Sequence, residues 1–177
     1  MSMDDMMRLV EPLIPPLRRY ASSLLRDQVA ADDLVQDCLE RVIARWGRRR
    51  KDGDTRTWVF TILHNLAIDR LRHLKRRGRH ENIDDTDDAL LSRPALQEDA
   101  LLHRDLLMGL HALPEVQRSV LLLVWVDDLS YAEAARVLDV PIGTVMSRLA
   151  RARAKLMQYM EGENIVSTTP VRLRSIK

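Results

Sequence analysis

The sequence predicts an all-α protein made of two small helical domains joined by a flexible acidic linker. Three observations carry that expectation. Apolar residues recur at three- and four-residue spacing over most of the chain, the period of an amphipathic helix. Aromatic residues make up only 4% while Leu, Ala and Arg are abundant, a balance that favours helix over strand. Between the two helical halves, Asn82 to Pro94 has little apolar content and carries Asp84, Asp85, Asp87 and Asp88, the composition of a solvated connector. The expected boundaries are residues 1–79 for the first domain, 80–94 for the linker, 95–160 for the second domain and 161–177 for a polar tail.

In the first domain, Leu9, Leu13, Leu17, Tyr20 and Leu24 mark a helix from Arg8 to Leu25, with a start made irregular by Pro12, Pro15 and Pro16. Arg26-Asp27-Gln28 reads as a turn. A second helix is expected from about Ala31 to Trp46, with Leu34, Val35, Leu39, Val42, Ile43 and Trp46 inward and Asp32 and Asp33 in its first turn. Its outer side carries Asp33, Gln36, Asp37, Glu40 and Arg41, a strip that taken alone is a solvated face. Gly47 to Asp54 is a basic loop with two glycines.

A third helix is expected from about Thr55 to Arg77, and its faces differ sharply. Val59, Phe60, Leu63, Leu66, Ala67, Leu71 and Leu74 fill one broad side. The other holds Trp58, Thr61, Asn65, Asp69, Arg72 and Arg76, with Ile62 at the boundary. A tryptophan there serves either as a stacking platform for bases or as packing against the preceding loop. Lys75 to Arg79 ends the helix with cations that suit its dipole and suit phosphates.

The second domain should begin with a helix over Ala95 to Leu110, carrying Leu96, Leu101, Leu102, Leu106 and Leu107. Leu113-Pro114 opens the next, with Val116, Val120, Leu121, Leu123 and Val124 as its core. Ser130 followed by Glu133 is a capping box, so a short helix starts there with Ala132, Ala134, Ala135 and Leu138 as contacts. Asp139-Val140-Pro141 breaks it and opens another, which makes a helix-turn-helix. In that last helix Val145, Leu149, Ala152 and Leu156 form the inner stripe. Opposite lie Gly143, Ser147, Ala150, Arg151 and Ala154, flanked by Arg148 and Lys155 on one side and Arg153 on the other. A small outer face with a few long donors suits a DNA major groove better than it suits plain solvent.

Composition sets the remaining bounds. The 177 residues hold one domain or two small ones, and the net charge of +2 hides segregation. Arg41 to Arg79 is basic, Glu81 to Asp99 acidic and Arg148 to Lys155 basic again, which suggests two nucleic-acid-facing surfaces around an acidic connector. Cys38 is the only cysteine, which excludes an internal disulfide and fits a reducing cytoplasm; it reads as a buried small apolar side chain. No apolar run is long enough for a membrane span, and the N-terminus lacks a signal-peptide pattern. His64, His73, His80, His103 and His111 are scattered without partners at ligand spacing, and His64 and His73 read as surface or phosphate-proximal. No phosphate-cradling glycine loop is present. The expectation is a cytoplasmic protein with no cofactor, no metal and no enzymatic activity of its own.

Three stretches resemble the extracytoplasmic-function sigma factors, the smallest class of the sigma-70 family. They are Ala31-Asp-Asp-Leu-Val-Gln-Asp-Cys-Leu39; Thr57-Trp-Val-Phe-Thr-Ile-Leu-His-Asn-Leu-Ala-Ile-Asp-Arg-Leu-Arg72; and Leu113-Pro-Glu-Val-Gln-Arg118 with Leu129-Ser-Tyr-Ala-Glu-Ala-Ala135 and Pro141-Ile-Gly-Thr-Val-Met-Ser-Arg148. The resemblance implies a region-2-like domain and a region-4-like domain that bind core RNA polymerase, through its β′ and β subunits, and promoter DNA. It implies that Asp33, Gln36, Asp37 and Glu40 dock on the polymerase. Trp58, Thr61, Asn65, Arg72 and Arg76 would meet the minus-ten element, where Asn65 and the loop Gly47 to Asp54 capture a flipped base. Thr144, Ser147, Arg148, Arg151, Arg153 and Lys155 would meet the minus-thirty-five element. Met146 departs from the basic residue many relatives carry there. The acidic linker resembles those that thread the polymerase's RNA path, and relatives are commonly held by an anti-sigma factor. A monomer is expected for the free chain.

Two other readings compete. A dimeric helix-turn-helix repressor or activator would leave Trp58, Asn65 and the acidic helix without a role. A protein that titrates other regulators through its charged faces would not need the small outer face of the last helix.

Overall fold

The computed structural model describes residues 3–49, 53–77 and 106–163, and among these every regular element is helical. The first domain starts with α1 (Met3–Val10), a single 3-10 turn (Glu11–Leu13) and α2 (Ile14–Leu25). The expected irregular start is therefore two helices with a prolyl hinge. Pro12 sits in the 3-10 turn, and Pro15 and Pro16 occupy the first turn of α2, where their missing amide hydrogens leave no bond unmade.

α2 ends on Arg26, which adopts a left-handed conformation at φ 60°. Asp27 then caps α3 (Gln28–Arg45), its carboxylate accepting from the Ala30 amide at 2.9 Å. The helix thus begins about three residues earlier than periodicity suggested, because the cap belongs to an aspartate inside what reads as a turn. Asp32 and Asp33 lie in its second turn. α4 (Thr55–Arg77) has the expected bounds, and Asp54 holds its start by accepting from the Arg56 and Thr57 amides and from the Thr57 hydroxyl.

α2, α3 and α4 pack around Leu17, Tyr20, Leu24, Leu34, Cys38, Val42, Val59, Phe60 and Leu63. Tyr20 meets Phe60 edge to face at 5.7 Å between ring centroids, a favoured aromatic geometry. Cys38 is fully buried, and burial pushes its thiol up to about 12, so it packs as an inert small hydrophobe. Ile43, Leu74 and Val116 are about half exposed instead of lining the core as expected. The buried side of α3 carries Ala30, Ala31, Leu34, Val35, Cys38 and Val42.

The second domain holds α5 (106–112), α6 (Glu115–Leu121), a π-helical turn (Leu122–Val126), α7 (Tyr131–Leu138) and α8 (Ile142–Glu163). The capping box at Ser130 is complete: Ser130 Oγ accepts from the Glu133 amide, and Glu133 returns a bond to the Ser130 amide at 2.7 Å. α7 closes on Asp139 at φ 51°, and Pro141 leads into α8. The inner stripe of α8 is as expected, with Val145, Leu149, Ala152 and Leu156 all buried against α6 and α7. Ala134, as expected, and Val137 are the buried residues of α7, while Ala132 is exposed. Gly109 allows α5 to cross α8 closely, since a Cβ there would lie 2.8 Å from Leu156 Cδ1. Residues 80–94, the expected start of the second domain at 95, and the tail from 164 lie outside the described residues, as do His80 and His103.

Candidate nucleic-acid interface

The helix-turn-helix presents α8 outward. Ser147, Ala150, Arg151, Ala154 and Lys155 are exposed, and Thr144 and Arg148 are half-buried. Among the described residues none of Arg148, Arg151, Arg153 or Lys155 has a carboxylate within ion-pair distance. Cations left without a carboxylate on a helix of small outer residues form a surface for phosphates and base edges. Ser147 Oγ donates to the Thr144 carbonyl at 3.1 Å, which turns that hydroxyl back onto its own helix. Arg153 stands apart from the others, its guanidinium stacked 4.8 Å from the ring centroid of Trp125. Met146 is exposed on the same helix.

A second candidate surface runs along α4. Asn65, Arg72 and Arg76 are exposed, Arg72 pairing with Asp69 at 3.6 Å, and Thr61 is half-buried with its hydroxyl donating to the Thr57 carbonyl. Trp58 does not stand free on this face. It packs half-buried against the core, its ring 6.1 Å from that of Trp46, so packing against the preceding segment is what the structure shows. Trp46 in turn carries the Arg49 guanidinium 4.7 Å from its ring centroid, and Arg49 Nη1 donates to the Gly53 carbonyl at 2.8 Å. These contacts clamp the two ends of the basic loop together.

His64, expected at the surface, is a correction. It is buried, and its Nδ1 lies 2.9 Å from Tyr20 Oη, because its place on α4 turns toward α2. Burial lowers its pKa to about 4, opposed by the Glu115 charge and assisted by those of Arg148 and Arg72. His73 is exposed, as expected. Among the described residues no cluster of His, Cys, Asp or Glu has the arrangement of a metal site.

A third surface lies on α3, where Asp33, Gln36, Asp37 and Glu40 fall on one exposed stripe. Gln36 Nε2 donates to Glu40 at 3.3 Å, and Arg70 reaches Asp33 only at 4.0 Å, so the stripe keeps its negative character.

Residues 10–64 match the family described as the Sigma2 domain of PhyR, and residues 94–156 match Sigma-70, region 4. The ECF RNA polymerase sigma factor EcfG of Rhodopseudomonas palustris (strain TIE-1) is 36% identical over 151 residues, which are 84% of this chain and 82% of that protein. This chain belongs to the ECF sigma factors. The ECF sigma factor SigC of Mycobacterium tuberculosis (strain CDC 1551 / Oshkosh) is 33% identical over 80% of this chain and 76% of that protein. Among solved structures, the Bartonella quintana sigma factor RpoE in complex with the anti-sigma factor NepR matches with a TM-score of 0.78 at 27% identity. That match covers 90% of this chain and 98% of the other.

In this sigma factor the two domains meet along a polar seam that periodicity had no means to reveal. α7 packs on α4, and α6 packs on α2. Arg19 Nη2 of α2 bonds Asp127 Oδ1 at 2.6 Å, and Arg56 of α4 donates to the Asp127 carbonyl. Arg118 of α6 reaches the Ser23 and Leu24 carbonyls at 3.3 Å, Arg26 donates to the His111 carbonyl, and Lys75 pairs with Glu115 at 2.9 Å. Burial lowers the Arg118 guanidinium to about 10. The available sequence signal was a charged residue with no solvent role, and that is invisible until the other domain is in place. No helix among the described residues is long and apolar enough to cross a membrane.

Proposed function

We propose that this chain is a promoter-specificity subunit that binds core RNA polymerase, reads promoter DNA with both domains and promotes melting. The observation that carries this reading is α8, whose outward cations have no carboxylate partner among the described residues, set in a helix-turn-helix of region 4 type. In this reading residues 1–79 and 95–160 are the two working domains and 80–94 joins them. The stripe Asp33, Gln36, Asp37 and Glu40 docks on the polymerase β′ subunit. Asn65, Thr61, Arg72 and Arg76, backed by Trp58, take up the minus-ten element. Thr144, Ser147, Arg148, Arg151, Arg153 and Lys155 take up the minus-thirty-five element. Flipping a base costs a few kcal/mol, and capture beside Asn65 offsets it without a nucleotide cofactor. The solved RpoE neighbour is bound to an anti-sigma factor, which supports control of this chain by a partner of that kind. It would work in the cytoplasm as a monomer when free and carry out no chemistry of its own.

A second reading has one observation behind it. The first domain matches a domain of PhyR, and a solved PhyR is described as an anti-anti-sigma factor. A sigma mimic of that kind would need no DNA-reading helix, and the acid-free outer face of α8 favours the first reading. Retention by purified core RNA polymerase is the test. The proposal expects a one-to-one complex; a chain that ignores polymerase and binds duplex DNA as a dimer would overturn it.

A further inference from the structure

The two flanks of α8 are not alike. Arg148 and Lys155 lie about two turns apart on one side of the helix, at positions i and i+7. The same spacing joins Met146 to Arg153 on the other side. That second flank also carries Ile142 and Met157, which like Met146 are about half exposed, and Arg153 is its single cation. A helix lying in a major groove about 12 Å wide has a phosphate backbone on either side of it. The backbone on the first flank finds two cations, and the backbone on the second finds Arg153.

Arg153 is also the cation of α8 that rests on a ring, its guanidinium carbon 4.8 Å from the Trp125 centroid. Trp125 belongs to the π-helical turn Leu122–Val126, which the Asp127 amide closes by donating to the Leu122 carbonyl at 3.0 Å. Leu122 and Leu123 anchor that turn in the core, while Trp125 stays 37% exposed beside α8. The ring is therefore a platform fixed from below. Stacking engages the flat face of a guanidinium and leaves the N–H donors in its plane free for phosphate oxygens. A stacked arginine has also given up part of its rotamer freedom before DNA arrives, so less is lost on binding.

We infer that Trp125 is a positioning residue for DNA binding, holding Arg153 as the phosphate contact of the second flank of α8. Arg153 then supplies affinity that is independent of sequence, and base choice falls to the outer face between the flanks, where Arg151 stands. This rests on the function proposed above, since it needs α8 in a major groove.

The test uses the full chain assembled with core polymerase, on a promoter fragment recovered by transcription of genomic DNA and on the same fragment with its minus-thirty-five element scrambled. Binding is titrated by fluorescence anisotropy at several salt concentrations. Arg153→Gln should weaken binding about tenfold on both fragments and make the log–log salt dependence shallower by about 0.9. Trp125→Leu keeps apolar bulk without an aromatic face and should weaken both by about threefold, while Trp125→Tyr should stay within about twofold of wild type. Trp125→Leu should add nothing in the Arg153→Gln background, because the ring acts through the arginine. An additive loss in that double variant, or equal losses for Leu and Tyr, would make Trp125 a packing residue and overturn the positioning role. A loss for Arg153→Gln confined to the intact element would make Arg153 a base contact and overturn the phosphate assignment. Trp125→Met takes the place of Trp125→Leu if the latter does not fold. A chain that polymerase does not retain would sink the sigma reading instead. The same variants are then read on the chain alone with a 30-base-pair duplex at low salt, where the same order is expected. Equal affinity for all of them there would overturn the inference as well.

Discussion

Tyr20 Oη and His64 Nδ1 lie 2.9 Å apart and tie α2 to α4 one residue before Asn65. Burial holds the Tyr20 phenol well above its usual range and the His64 imidazole down at about 4, so both are neutral at physiological pH. The pair therefore fixes the azimuth of α4 and with it the outward direction of Asn65.

This pair makes stability depend on pH with a definite sign. The folded pKa of His64 is depressed below the unfolded value of about 6.5, so the unfolded chain takes up the proton first. The contribution is fully present above about pH 6.5 and is lost as pH falls toward 4, a change of about 3 kcal/mol at most. Urea denaturation between pH 7 and 4.5 should show this fall in the wild type. His64→Gln should flatten it, and an unchanged slope in that variant would assign the acid sensitivity elsewhere.

Ser130→Ala removes one half of the capping box and should cost about 0.5–2 kcal/mol of stability. Ser130→Asp should restore most of it, because aspartate caps equally well. Thermal melts of the three proteins decide the matter; equal melting for Ser130→Ala and wild type would mean that α7 is held by its packing on α4 and α8 without help from the cap.

Arg151 is exposed on the outer face of α8 with no carboxylate within ion-pair distance among the described residues. Arg151→Ala should cost about 1–3 kcal/mol on the preferred minus-thirty-five sequence and relax preference at one base position. Anisotropy titrations over single-base variants read this out. A loss of equal size on every sequence, with a shallower salt dependence, would make Arg151 a phosphate contact.

Asn65→Ala should leave polymerase binding within twofold of wild type and lower open-complex formation at least tenfold, because Asn65 is exposed on α4 and is no member of the acidic stripe of α3. Permanganate reactivity of the melted strand reports the second quantity. A comparable loss of polymerase binding would remove Asn65 from the minus-ten site.

Much of the fold was legible because it is written in local periodicity and caps. α4 has the bounds expected for it, and the stripe Val145, Leu149, Ala152 and Leu156 is buried as its spacing requires. What escaped was non-local. Asp27 lies in a stretch that reads as a turn and only its bond to the Ala30 amide shows it to be a cap. His64 is a polar side chain beside Phe60, Ala67 and Ile68 on α4, and only the approach of α2 shows it to be a buried partner for Tyr20. Trp58 was open to two readings until the ring of Trp46 was placed against it. Asp127 is one of two consecutive aspartates before the capping box, and nothing local distinguishes the buried one from its exposed neighbour Asp128. Charges committed to another domain carry no periodic signature.

The central claim is that this chain directs RNA polymerase to promoters. In vitro transcription of fragmented genomic DNA by purified core polymerase, with and without the chain, tests it most directly. The account predicts discrete new transcripts whose start sites align on two shared upstream elements. Polymerase that initiates no new transcript in the presence of the folded chain would contradict it.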